Sequence, residues 1–432
     1  MKNKQEINKI KRNNAKLFPI YKMFSWDLIC FYSIEFLFYT ITKGITPSQV
    51  LIASAFYIIS KIIMQIPAVA ITDILGKRNS IIIGNILAVI YVLILIFAPG
   101  LLGIIIANVM CALGYDIKTI AETNLLYDSV STRGGEGLYS KLDSMGGSWY
   151  YLLDGIACLS AGYLFIINNY LPMFICLGFV LISTILSFKF KDVHSVKNKK
   201  EQNNIAKVLK DYSIDLKESC KFIIKSNRMK AYIIFGAVFY GFIKVIEPYE
   251  NTLLVSKGVP EEQFSMIFAI ITLLAGVSVT LSRKLHKKFR NKALTVISIA
   301  YVSACLTVGI IINIFTGNAI IPIIITMFAI LKMCSATWYV LKQKYLKNFS
   351  TNEIRNKITF TFELITGIVA STMALIGSFI LEKCGVNYSF LIVALLAVGT
   401  IVLILDYMRP RFGLKPKEYK KEDINMEELI KQ

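Results

Sequence analysis

Eleven ionisable side chains lie inside long apolar runs of this 432-residue chain. Charged groups are costly in hydrocarbon, so within a membrane they usually line a polar pathway or pair with one another. The acids are Glu35, Asp116, Glu122, Asp154, Glu247, Glu250 and Glu363, and the bases are Lys61, Lys118, Lys244 and Lys332. A carboxylate that gains a proton on one side of a membrane and loses it on the other would couple proton entry to solute movement.

Depth within the runs separates these groups. Glu35 and Asp154 lie about 15 Å inside their runs at 1.5 Å per residue, and we expect them to act in proton coupling or to line the substrate pathway. The same role is predicted for Asp116, Lys61, Lys244, Glu247 and Lys332. The lysines would either attract an anionic substrate or neutralise the carboxylates. The alternative for local pairs, Lys118 with Glu122 and Lys244 with Glu247, is a static ion pair between neighbours on one helix.

Aromatic residues in the same runs predict a surface for flat, amphipathic or cationic molecules. The candidates for cavity aromatics are Tyr57, Tyr151, Tyr240 and Trp338. Helix packing and positions at the membrane interface are the alternative for most of them.

The composition excludes several classes of protein. The chain is 55% hydrophobic and 18% charged, against about 25% charged residues in soluble domains. Its eight cysteines are scattered, and its two histidines lie in polar segments, so we predict neither a disulfide framework nor a metal site. No catalytic cluster or phosphate-binding loop is present, which indicates a protein that is not an enzyme and needs no cofactor beyond a proton or ion gradient.

Hydrophobic runs predict an all-α polytopic membrane protein with twelve transmembrane helices. The runs are 24–42, 50–72, 80–98, 102–127, 144–166, 170–190, 231–254, 263–282, 293–315, 319–341, 358–381 and 386–406. Most of the 48 Lys and Arg residues fall in the tails and loops on one side, which the positive-inside rule makes cytoplasmic together with both termini. The placement of the +20 net charge thus marks a cytoplasmic face in contact with lipid and argues against nucleic acid. The excess of Lys over Arg, with abundant Ile and Asn, is typical of an AT-rich bacterial genome, so we expect a bacterial cytoplasmic membrane.

Two short patterns recur at about half the chain length. Lys43-Gly44 with Gln49 is repeated by Lys257-Gly258 with Gln263, and Ser140-Lys141-Leu142 is echoed by Asn356-Lys357-Ile358. Duplication of a six-helix unit would give two parallel, pseudo-symmetric bundles. The predicted division is 1–190 for the first bundle, 191–230 for a cytoplasmic linker with an amphipathic helix, 231–408 for the second bundle and 409–432 for a cytoplasmic tail. We expect a monomer.

The segment from Gln65 to Arg78 resembles the signature loop of the major facilitator superfamily, Gly-x-x-x-Asp-Arg-x-Gly-Arg-Arg/Lys. Asp73, Gly76, Lys77 and Arg78 match this pattern, while Val69 replaces its first Gly and Ile74 its first Arg. The run from Glu122 to Ser129 is similar to a segment of drug-efflux-like permeases from Gram-positive bacteria. The resemblance implies the superfamily fold, a central cavity between the bundles, and a loop that acts as a conformational latch through Asp73, Gly76, Lys77 and Arg78.

From these observations we expect secondary active transport of a small organic solute by alternating access. Proton-coupled efflux of amphipathic compounds is the preferred interpretation, and proton-coupled uptake of a small nutrient or anionic metabolite is the alternative. A non-transporting membrane sensor or scaffold is the alternative from another class.

Overall fold

The computed structural model describes residues 2–130, 135–193, 205–289, 292–315, 317–349 and 355–411. These residues form helices and short connections without a strand. Nine of the helices described are long and apolar enough to cross a membrane. The predicted all-α polytopic fold is therefore confirmed.

One compact unit takes in residues Met1–Ile45, Ile59–Lys210 and Glu261–Met266. The chain begins with α1 (Lys2–Ser25), α2 (Glu35–Leu37) and a π-helical turn (Phe38–Thr42), and continues with α3 (Pro47–Leu75), α4 (Lys77–Phe97), α5 (Gly100–Val130), α6 (Gly135–Ile167) and α7 (Leu171–Ser187). Helix α4 packs along α5 and α7, and α1 packs along α5, α6 and α7. Phe18 and Tyr21 of α1 join a buried core with residues of α4 and α5.

The first predicted span, 24–42, is wrong as a continuous helix. Helix α1 ends at Ser25, and regular helix resumes only at Glu35. Asn14 binds the backbone carbonyl of Lys191 after α7, whereas Lys43 binds carbonyls of Ile96 and Ala98 at the far end of α4. Residues 15–42 therefore run the length of the 21-residue α4, about 30 Å, and the irregular segment 26–34 lies near the middle of this path.

The other compact unit takes in Thr46–Ile58, Asp211–Pro260 and Ile267–Gln432. After α8 (Ile205–Lys225), the chain forms α9 (Asn227–Ser256), α10 (Glu261–Phe289), α11 (Lys292–Ile314), α12 (Ile321–Asn348) and α13 (Arg355–Arg411). Helix α9 packs along α13, which also contacts α11. Gly385, at φ +69°, breaks α13 in two, at the boundary predicted between the spans 358–381 and 386–406.

The predicted linker 191–230 contains the helix α8, in the segment where its apolar residues recur at helical spacing. In α8, Ser219, Phe222 and Ile223 are buried, while Lys217, Lys221 and Lys225 are exposed. The proposed domain limits at 190, 231 and 408 stay predictions, as does the placement of this helix at a membrane surface. The predicted tail lies outside the described residues from 412 onwards.

Candidate functional site

The break in the first crossing is held open by a neighbouring acid. Cys30 adopts φ +70°, a left-handed conformation in which it is the only residue other than glycine among those described. The Asp154 carboxylate of α6 accepts the backbone N–H of Cys30 at 3.0 Å. Asp27 stabilises the entry to the break, since its Oδ1 accepts the Leu28 N–H at 2.9 Å and the Tyr32 hydroxyl at 2.8 Å.

Glu122 is almost completely buried, with 1% of its side chain exposed. It accepts hydrogen bonds from the Tyr21 hydroxyl and the Lys22 ammonium group, each at 2.5 Å. The expected partner, Lys118, instead donates to the carbonyl of Ser25 at 2.5 Å. The interpretation of Glu122 as part of a Lys118 pair is therefore wrong, because the carboxylate binds the end of α1.

A chain of polar side chains extends this contact across the unit. Asn85 of α4 donates to the Tyr21 hydroxyl at 2.8 Å, and Ser183 of α7 donates to the Asn85 carbonyl at 3.0 Å. Asn85 and Ser183 are both buried. Four helices, α1, α4, α5 and α7, are thereby joined through one buried network that ends on Glu122.

Asp116 differs from Glu122 because one oxygen of its carboxyl group receives no hydrogen bond from the described residues. The residue is 5% exposed, and its Oδ2 is buried without a hydrogen-bond partner in the described part of the chain. Lys61 acts on this carboxyl group electrostatically. The Lys61 side chain is exposed, and its ammonium group lies 4.9 Å from the ring centre of Tyr115, above the ring face.

The predicted latch loop connects three helix ends. Gly76, at φ +80° and ψ 166°, precedes α4, and this conformation is accessible essentially only to glycine. Lys77 forms an ion pair with Asp128 of α5. Arg78 donates from Nε to the Phe190 carbonyl at 2.8 Å and from its backbone N–H to Asp192 at 3.0 Å.

Two sequence motifs thus meet in space, since Asp128 belongs to the Glu122–Ser129 run. Asp73 is exposed. The latch function assigned to Asp73, Gly76, Lys77 and Arg78 stays a prediction.

In the second unit, two lysines share one carboxylate. Glu247 of α9 accepts from Lys332 of α12 at 2.6 Å and from Lys244, one turn away on α9, at 3.2 Å. The three side chains are 27–38% exposed. Lys244 lies against the Tyr240 ring at 5.9 Å and Lys332 against the Phe268 ring at 5.7 Å. Each ammonium group therefore has a carboxylate and an aromatic face.

The predicted aromatic residues occupy different surroundings. Trp338 is 1% exposed and packs edge-on against Phe235 and Phe239. Tyr240 packs edge-on against Tyr339, with the ring centres 6.2 Å apart. Tyr151 is 60% exposed and lies beside Trp26, whereas Tyr57 is half-buried. Their assignment to a cavity stays a prediction.

Glu35 is half-buried and begins α2, directly after the break. Its coupling role stays a prediction. Lys342 of α12 pairs with Glu363 of α13 at 2.7 Å, which joins two helices through a charge pair that the sequence interpretation did not identify. Among the described residues, no three His, Cys, Asp or Glu side chains are grouped to hold a metal ion.

Sequence reasoning missed Tyr21, Lys22, Asn85 and Ser183. Tyr21 and Lys22 precede the first predicted span, which begins at residue 24. Asn85 was detectable, because it is the one amide in the apolar run 81–97.

The family model described as Major Facilitator Superfamily matches residues 20–346. No curated protein matches the chain.

Solved structures of three transporters resemble the whole chain at low sequence identity. The nucleoside transporter NupG is 11% identical with a TM-score of 0.71, over 93% of this chain and 99% of its own. A D-xylose–proton symporter is 12% identical with a TM-score of 0.64, over 95% and 98%. A POT family transporter in complex with a thioalcohol-conjugated peptide is 14% identical with a TM-score of 0.61, over 96% of each chain.

Proposed function

The chain belongs to the major facilitator superfamily, and on that premise we propose that it moves a small organic solute across the cytoplasmic membrane by alternating access, driven by protons. It is a multi-pass membrane transporter and not an enzyme. The preferred direction is efflux of amphipathic compounds, in keeping with the likeness of Glu122–Ser129 to drug-efflux-like permeases.

The observation that carries proton coupling is the buried carboxyl group of Asp116. Its Oδ2 is buried without a hydrogen-bond partner among the described residues. An ionised carboxylate with an oxygen in that situation is unfavourable in a low-dielectric interior, and protonation lowers that cost. The ammonium group of Lys61 is its electrostatic counterweight. Because Lys61 is on another helix and exposed, a movement that separates the two groups would favour proton uptake by Asp116, and their approach would favour release.

Exposed aromatic surface supports amphipathic substrates. Tyr151 presents most of its ring to the surroundings, and several lysines lie over aromatic faces. Aromatic rings bind flat apolar or cationic molecules through their faces.

Proton-coupled uptake of a small nutrient or anionic metabolite is the second candidate. It is favoured by Lys244 and Lys332, whose two ammonium groups share the single carboxylate of Glu247. A substrate anion that replaced Glu247 would meet two positive charges already placed together.

The test begins with the purified chain and a thermal-shift screen over amphipathic drugs, sugars, peptides and organic acids. Compounds that stabilise the protein are then followed in proteoliposomes under an imposed proton gradient. We expect Asp116→Asn to abolish gradient-driven transport while solute exchange at equal concentrations continues, since exchange needs the binding site but no net proton movement.

Asp406→Asn is the matched control, because this aspartate is exposed near the end of α13. The control should transport like the parent protein. Gradient-driven transport that survives Asp116→Asn would contradict the coupling assignment. Stabilisation by organic acids alone would favour the anionic alternative, and absence of both binding and transport would favour the sensor or scaffold.

A further inference from the structure

Helix α8 lies beside the beginnings of two membrane-spanning helices. At its end, Ser226 takes an extended conformation at φ −79° and ψ 110° and caps α9, so α9 starts in a new direction. Eight residues earlier, Glu218 binds the ammonium group of Lys357, at the start of α13, at 2.8 Å. These two contacts are about 12 Å apart along α8.

The helices that α8 touches run parallel and nearly in step. Gly236 of α9 lies against the Phe362 ring of α13, and Tyr249, further along α9, donates to the Gly377 carbonyl at 2.6 Å. The first turns of α9 and α13 are therefore close to one level, and each helix is long and apolar enough to cross a membrane from there. Because α8 contacts both starts, it lies along the edge of the apolar region.

The two sides of α8 have different surroundings. Phe222 and Ile223 are 7% and 6% exposed, so this side packs into the protein. The other side carries exposed isoleucines and lysines at spacings of three and four residues: Ile214, Lys217, Lys221, Ile224 and Lys225. Such spacings place side chains on one helix face. The two isoleucines are 44% and 66% exposed, which makes the face apolar as well as basic.

The charge along this segment is positive. Residues 205–230 contain seven Lys or Arg and three Asp or Glu, and the carboxylate of Glu218 is already paired with Lys357. Within the described part of the chain, Lys217 and Lys221 take part in no ion pair. Cations without a counter-charge that alternate with exposed apolar side chains are typical of a helix lying in the interface of an anionic membrane.

We propose that the outward face of α8 binds anionic phospholipids, with Lys217 and Lys221 at the phosphate groups and Ile214 and Ile224 against the upper acyl chains. A lipid satisfies both kinds of side chain, whereas a nucleic acid or an acidic protein segment would neutralise the lysines and leave the isoleucines in water. Long lysine stems lie along apolar surface while their ammonium groups reach the headgroups. The proposal concerns the attachment of α8 to lipid, so it stands apart from the proposed solute and from proton coupling.

The experiment measures lipid binding to the purified full chain in a neutral detergent, without solute or gradient. Fluorescent phosphatidylglycerol should bind saturably and more tightly than phosphatidylcholine with the same acyl chains. Lys217→Gln combined with Lys221→Gln should weaken phosphatidylglycerol binding at least about tenfold, since each lysine near an anionic surface contributes roughly fivefold. Lys217→Arg combined with Lys221→Arg should retain binding, because the charge is kept.

Lys257→Gln combined with Lys383→Gln is the matched control. It removes the same charge from residues that follow α9 and precede the Gly385 kink of α13, far from the starts of these helices, and it should bind phosphatidylglycerol like the parent. Ile214→Ser combined with Ile224→Ser should weaken binding of both lipids. Glycerol phosphate, which has no acyl chains, should compete poorly with phosphatidylglycerol.

The proposal fails if phosphatidylcholine binds as tightly as phosphatidylglycerol, if the double glutamine variant of α8 binds like the parent, or if the control loses binding equally. An RNA oligonucleotide or a polyglutamate peptide that binds more tightly than the lipid, and through the same two lysines, would assign the face to a macromolecule instead. None of these results affects the Asp116 assignment, and Asp116→Asn should bind phosphatidylglycerol like the parent.

Discussion

Glu122 and Asp116 are six residues apart on α5, but the two carboxyl groups differ in how many hydrogen-bond donors surround them. Glu122 is surrounded by donors: a tyrosine hydroxyl, a lysine ammonium group and, at 3.4 Å, the Ser25 hydroxyl. Asp116 has an oxygen that nothing satisfies in the described residues. A carboxylate bound on all sides stabilises structure, whereas an unsatisfied one is free to change its protonation state.

Glu122→Gln should therefore lower stability strongly. The amide cannot accept from both Lys22 and Tyr21 as the carboxylate does, and it leaves the Lys22 ammonium group buried without a counter-charge. Breaking a buried pair from one side costs about 3–5 kcal/mol. The measurement is the melting temperature and denaturant resistance of the purified protein.

Glu363→Gln is the comparison, because Glu363 also pairs with a lysine but is 39% exposed. Exposed pairs contribute about 0–1 kcal/mol, so this variant should lose little stability. Equal losses in the two variants would mean that the Glu122 network is not the structural element described.

At this scale the sequence predicts residue types better than partners. The apolar runs single out Asp116, Glu122 and Glu247 as charges within predicted spans, and Lys244 with Glu247 forms at the predicted spacing. The helical spacing of four predicts the wrong lysine for Glu122, because this spacing describes only contacts within one helix. Lys22 reaches it from 100 positions away, a distance that no local pattern encodes.

The turn between α3 and α4 shows how an element depends on one backbone conformation. Gly76 lies at φ +80° and ψ 166°, and it directs Lys77 toward α5 and Arg78 toward the chain after α7. Gly76→Ala should destabilise the protein by about 1–3 kcal/mol, the strain of placing a side chain in this region. Thermal unfolding of the purified variant measures the loss.

Gly178→Ala is the matched substitution on a regular helix. Gly178 lies within α7, and a Cβ added there meets no atom within 4 Å. This variant should retain the parent melting temperature or exceed it. A Gly76→Ala variant as stable as Gly178→Ala would show that the turn tolerates a side chain.

Elements also differ in how far the sequence determines them. The Lys-Gly turns that suggest duplication share a left-handed glycine, Gly44 at φ +67° and Gly258 at φ +72°, and each precedes a helix by three residues. The break in the first crossing carries no such signal, because residues 26–34 contain neither Gly nor Pro. It depends on Asp154, a residue of another helix that binds Cys30.

On the scale of the whole molecule, the distribution of charge predicts which side faces the cytoplasm. The positive-inside rule predicts that the basic residues of the latch loop and of α8 face the cytoplasm, and that Lys43, Lys257 and Lys383 face outward. Hydropathy and charge determine the number of crossings and their direction because both act on entire segments. They carry less information on tertiary partners. The buried network that ends on Glu122 and the break in the first crossing are therefore visible only in the three-dimensional structure.

Two native cysteines allow the orientation to be measured. Cys384 is exposed and directly precedes the Gly385 kink of α13, on the side predicted to face outward. Cys220 is half-buried in α8, on the side predicted to face the cytoplasm.

A membrane-impermeant maleimide applied to intact cells should label Cys384, so Cys384→Ser should remove labelling that Cys220→Ser leaves in place. Lysed cells should gain label that depends on Cys220. Labelling of intact cells that disappears in Cys220→Ser and persists in Cys384→Ser would invert the orientation, and with it the direction assigned to proton-driven export.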